Sequence, residues 1–146
     1  MISATSNDFL TNRAWHRAVL NGEDVILRRT SALEHLQLFN GYVREKMIDV
    51  YAKKPGKYEN IHYHIVDTFD GIDIVNLDGV PCTSANQTFN DMLSDFDNVD
   101  EQALIEGLAS YYFSHGKSFS GLSIRPENME RFNQIKEWAV EYYNGG

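Results

Sequence analysis

Cysteine is nearly missing from this chain of 146 residues: Cys82 stands alone. That excludes a disulfide framework and a zinc site built on cysteines, and a single thiol within an apolar strand reads as a small core residue. No apolar run approaches the ~20 residues that span a bilayer. The opening stretch MISATSNDFLTNRAWHR lacks the basic-then-apolar order of a secretory signal. The expectation is a protein of the cytoplasm with no membrane partner. Catalytic signatures are equally scarce. There is no GxSxG, P-loop or GxGxxG, so arguments for a nucleophile elbow or a phosphate cradle cannot begin. The GKS triplet within Gly116 to Gly121 has no glycine upstream at Walker spacing and follows a helical stretch, so it reads as a loop. A nuclease that needs an acid on one strand and an acid-x-Lys pair on the next cannot be built after Asp49, because no lysine occurs from 58 to 116. No cofactor is expected.

Positive charge is also absent from a long stretch. Residues 61–116 contain no Lys or Arg but carry ten acids from Asp67 to Glu106. The net charge of −8 divides into +2 over residues 1–60 and −10 over residues 61–146. An acidic surface repels nucleic-acid phosphates and speeds encounter with a basic partner, although it also serves solubility.

What is present is a folded composition, 42 % hydrophobic, in a chain long enough to bury about two-thirds of its unfolded surface. Helical spacing from Asn7 to Leu20 places Phe9, Leu10, Ala14, Trp15, Ala18 and Val19 on one side. Val25 to Leu27 is a brief apolar run. Ser31 and Glu34 form a capping box for a second helix, with Leu33, Leu36 and Leu38 inward and Gly41 closing it. The period then shortens. Met47 to Ala52, Ile61 to Val66, Ile72 to Leu77 and Val80 to Thr83 read as strands, with turns at Lys53 to Gly56 and at Asp78-Gly79. Helices return after a second capping box, Ser84 to Gln87, followed by Phe89, Met92, Leu93 and Phe96. Asp100 is the expected N-cap of the next helix, which Gly116 ends. Pro126 opens the last, with Met129, Phe132, Ile135, Trp138, Ala139 and Tyr142 as its inward stripe and Gly145-Gly146 beyond it. The expected fold is α+β in one domain over residues 1–146. It has N-terminal helices, a small and mostly antiparallel sheet of three or four strands, then three C-terminal helices.

Two clusters carry candidate chemistry. His62 and His64 share one face of a strand and Asp67 follows, a combination that suits a metal-dependent hydrolase. No third ligand has diagnostic spacing, however, and the strand needs a polar face in any case. The structural reading of His62, His64 and Asp67 is therefore preferred. Arg28, Arg29, Thr30 and Ser31 lie where a short apolar run meets a helix, a setting that can receive an anion. Arg13, Arg17, Arg44 and Lys46 are candidates to extend that basic patch, which would suit a nucleic-acid-binding regulator.

Leu27-Arg-Arg-Thr-Ser-Ala-Leu-Glu34, with Leu36 and Leu38 after it, resembles the AbiEi family of antitoxins. The likeness continues at Gly79-Val-Pro-Cys-Thr-Ser84 and Gln87-Thr-Phe-Asn-Asp-Met-Leu93, and covers residues 23–115. The resemblance implies a non-enzymatic antitoxin of a toxin–antitoxin or abortive-infection pair, whose partner is a nucleotidyltransferase-like toxin. Family members also carry an N-terminal winged helix-turn-helix that binds promoter DNA. The 22 residues before the matching region are too few for one, and with the acidic balance this disfavours promoter binding. The expected partner contacts are the basic group Arg28, Arg29, Thr30 and Ser31 and the acidic group Asp91, Asp95, Asp97, Asp100 and Glu101.

Overall fold

Alternation along short strands and 3.6-residue spacing along the helices place apolar side chains on two distinct surfaces, and the chain folds around both. The computed structural model describes residues 11–41 and 47–142. In chain order these form α1 (Asn12–Leu20), β1 (Val25–Leu27), α2 (Arg29–His35), β2 (Ile48–Ala52), β3 (Ile61–Ile65), β4 (Ile74–Leu77), β5 (Val80–Thr83), α3 (Ala85–Ser94), α4 (Glu101–Ser114) and α5 (Pro126–Glu141). A short 3₁₀ turn, Phe96–Asn98, joins α3 to α4.

The fold is α+β, with one five-stranded mixed sheet in the order β3-β2-β1-β5-β4. The three-residue run Val25–Leu27 is its central strand. The expected antiparallel bias is corrected: β1–β2 and β4–β5 are antiparallel, whereas β2–β3 and β1–β5 are parallel. The tight turn read at Lys53 to Gly56 does not make a hairpin. Residues 53–60 instead carry the chain back to the start of β2, so that Ile48 pairs with Ile61 and Ala52 with Ile65. The hairpin at Asp78-Gly79 does form, both residues having positive φ (56° and 80°) as a type I′ turn requires.

Caps set most helix starts. Thr11 Oγ1 accepts from Ala14 N–H at 3.1 Å, Ser84 Oγ from Gln87 N–H at 3.1 Å, and Asp100 Oδ1 from Ala103 N–H at 3.0 Å. The first capping box is absent. α2 starts at Arg29, and Ser31 lies within it, its Oγ accepting from Asp49 N–H at 2.8 Å. The helix also stops before Gly41: Leu36 is the C-cap, and Gln37 takes the left-handed conformation (φ 62°). The second box is half formed, because the Gln87 side chain turns to Asp73 and Asp91 instead of returning to Ser84. Phe9, Leu10, Arg44, Lys46 and Gly145-Gly146 lie outside the described residues.

Two apolar cores result. Trp15 and Leu20 of α1, Ala32 of α2, and Val25, Leu27, Ile48, Val50, Ala52, Ile61, Val80 and Cys82 fill the first, against one face of the sheet. Leu33 of α2, with Phe89, Met92, Leu104, Leu108, Phe132 and Ile135, fills the second, between α3, α4 and α5. Gly107 permits the close approach of α4 to α2, since a Cβ there would stand 3.0 Å from a Leu33 methyl and 3.3 Å from the Phe89 ring. The predicted α5 stripe is narrower than expected. Phe132, Ile135 and Ala139 are buried, but Met129 is 40 % and Trp138 54 % exposed. α1 likewise leaves Ala18 outward and buries His16. Among the described residues no helix is long and apolar enough to cross a membrane.

Candidate partner-binding surface

The sheet's second face is polar because every alternate residue of β2 and β3 faces it. Asp49 pairs with His62 and Tyr51 with His64 across the β2–β3 register. Arg28, immediately after β1, reaches over this face. Its Nη1 donates to both Asp49 oxygens at 3.1 and 3.3 Å, and its guanidinium lies 4.6 Å from the centre of the Tyr51 ring. His62 Nδ1 lies 3.1 Å from Asp49 Oδ1. The Tyr51 hydroxyl donates to Asp91 Oδ2 at 2.7 Å, and Gln87 Nε2 donates to Asp91 Oδ1 at 2.9 Å. A continuous polar chain thus runs from exposed His62 to α3. Burial, then the Asp91 hydrogen bond, raises the Tyr51 phenol. Burial, then the Arg28 charge, keeps the His64 imidazole below its ordinary value.

The tandem arginines are therefore each paired with an acid and do not make an open basic patch. Arg28 is only 3 % exposed and points into the polar face, because it precedes α2 in extended conformation (φ −137°). Arg29 takes the left-handed conformation (φ 48°) and is paired with a different acid. Its Nη2 donates to Asp95 Oδ2 at 2.6 Å. Asp95 also accepts from Asn98, and these two contacts, Asn98 first, hold its carboxyl below the usual range. Arg13 and Arg17 do not extend the patch. Arg13 Nε donates to the His35 carbonyl and Arg17 pairs with Asp78 at 3.2 Å, both on the α1 side.

The structure brings together stretches that the sequence separates. The Arg29–Asp95 pair joins the basic group to the acidic group. Beside it, Thr30, Ser31, Glu34, Met47, Asp49, His62 and Asp100 line an open cleft of about 270 Å³. Asp97 and Glu101 are exposed nearby in sequence, whereas Asp91 turns inward to Tyr51. Among the described residues no three His, Cys, Asp or Glu side chains are grouped to hold a metal ion. The His62 and His64 ring centres are 6.4 Å apart, and His62 is turned to Asp49. The Cys82 thiol is fully buried and burial pushes it up to about 11, far from a thiolate nucleophile.

Sequence reasoning missed Asp49, Tyr51 and Gln87 as members of this network. The available signal was period two: Asp49 and Tyr51 alternate with Ile48, Val50 and Ala52, so one face of the strand had to be polar. No family model matches the chain, and no curated protein matches it.

Proposed function

We propose that this protein is a non-enzymatic, antitoxin-like protein of the cytoplasm that binds and neutralises or regulates a partner toxin. The observation that carries this reading is the junction of Arg29 with Asp95, which joins the basic and acidic groups expected to contact the partner. The adjoining cleft is lined by Glu34, Asp49 and Asp100, an acidic lining that disfavours a phosphate. Two further features support binding over catalysis. The buried thiol is unsuited to nucleophilic attack, and the Asp49 carboxylate is already engaged by Arg28 and His62. The arginines that a nucleic-acid-binding reading would use are largely committed to acids: Arg28 to Asp49, Arg29 to Asp95 and Arg17 to Asp78. Promoter DNA is accordingly not part of the proposal.

The test is titration calorimetry with the purified product of the neighbouring gene, the usual location of a cognate toxin. Binding is expected. The double reversal Asp97→Lys with Glu101→Lys should weaken it roughly tenfold, since two rim charges at under about 1 kcal/mol each sum to about 1.4 kcal/mol. No binding by the native protein would remove the antitoxin reading. Binding that ignores the reversal would move the contact away from this surface.

A further inference from the structure

Among the contacts that fasten α1 to the rest of the molecule are two histidines that water does not reach. His16 and His35 are both 0 % exposed, and their Nδ1 atoms lie 3.1 Å apart. His35 Nε2 lies 2.7 Å from the carbonyl oxygen of Leu77. A carbonyl only accepts, so Nε2 carries the hydrogen and neutral His35 offers a lone pair at Nδ1. His16 Nδ1–H then donates to it. The remaining ring atom, His16 Nε2, has no hydrogen-bond partner among the described residues. The relay therefore runs from α1 through α2 to β4 and works only with both rings neutral. A proton added to His35 opposes two N–H groups, or forces His16 to turn an N–H toward its unpartnered side. A proton added to His16 itself sits at Nε2 as a buried charge without an acceptor.

We propose that the His16–His35 pair is an acid-sensitive latch: neutral, it holds α1 over the apolar face of the sheet, and proton uptake releases α1 while the α3–α5 bundle stays folded. The core memberships favour local release, because Trp15 and Leu20 of α1 belong to the sheet core and no α1 residue belongs to the bundle core. The charged and titratable groups around the pair come from each element packed there. They are Arg13 and Arg17 on α1, Glu34 on α2, Asp78 in the β4–β5 turn and Cys82 on β5. Arg13 donates to the His35 carbonyl at 2.7 Å and opposes a cation at that ring. Asp78 favours one, but it is engaged by Arg17. The Leu77 carbonyl also favours one, and burial outweighs both it and Asp78. Burial is the largest cause holding His35 below its ordinary value, and with His35 nearby it takes His16 down to about 3.

The sign follows from linkage. The folded values lie below the ~6.5 of a free imidazole, so the released state binds protons first. The latch is secure above about pH 6.5 and weakens as pH falls from there toward 3. Between pH 7.5 and 5.5 His16 multiplies the released population about tenfold, and His35 adds a further factor of at most about ten.

Hydrogen exchange followed by mass spectrometry tests this, with α1 and α4 amides expressed as protection factors corrected for the pH dependence of intrinsic exchange. α1 protection should fall between about tenfold and about 100-fold more than α4 protection from pH 7.5 to 5.5. An equal fall in both helices, or none in α1, overturns the latch. His16→Gln should remove most of that pH dependence; a variant that folds and keeps it all overturns the proposal as well. Should His16→Gln not fold, nitrogen NMR of the native protein decides. Both rings should stay neutral while α1 is protected, and a ring titrating near pH 6.5 with α1 still closed would sink the idea.

Discussion

The two faces of the sheet are built from alternate residues of the same strands, yet they hold the fold in different ways. On one face Val25, Leu27, Ile48, Val50, Ala52, Val80 and Cys82 exclude water through shape and area alone. On the other, Arg28, Asp49, Tyr51 and Asp91 are joined by directed contacts that each need a specific partner. Apolar contacts degrade gradually when one atom is lost. A buried polar chain fails at the link that is cut, because the group left behind has been taken from water.

Substitutions on each face should expose that difference. The largest effect belongs to the apolar face, where Leu27→Ala empties a site with no exposed surface at the central strand. Stability should fall by about 3 kcal/mol, read from the denaturant midpoint. Arg28→Ala comes next, at about 2 kcal/mol, since it strands a partly exposed Asp49. Combining Arg28→Met with Asp49→Asn should recover much of that loss, and a double-mutant cycle with no coupling would deny that the pair acts as a unit. Tyr51→Phe removes one hydroxyl from Asp91 while keeping the ring under Arg28, and should cost about 1 kcal/mol by thermal unfolding. At the bottom, Arg17→Ala breaks an exposed pair with Asp78 and should change stability by under about 0.5 kcal/mol. A larger loss there would mean that α1 depends on its surface charges as much as on its buried contacts.

The same contrast explains what could be read from the sequence. Elements whose stability is local were legible: the Asp78-Gly79 turn, the Ser84 and Asp100 caps, the Pro126 start, and the strands at Ile48 and Val80. Features that depend on distant partners were not. Ser31 looked like a cap because nothing in the sequence places Asp49 N–H beside its hydroxyl. The parallel pairing of β2 and β3 was hidden because a turn-rich connection serves a return loop as well as a hairpin. Trp138 looked buried because helical spacing predicts a face without giving its width. At the candidate surface, residue types were legible but their partners were not, since nothing in the sequence pairs Arg28 with Asp49 or Arg29 with Asp95.

α2 is only seven residues long, yet Ala32 belongs to the sheet core and Leu33 to the bundle core. About two turns of helix thus form a party wall between two rooms, and neither room is closed without it. A gene cut after residue 41 would take α2 and the central strand away from the other four strands and leave the bundle with a hole where Leu33 meets Gly107. The two halves should therefore be inherited, and melt, together.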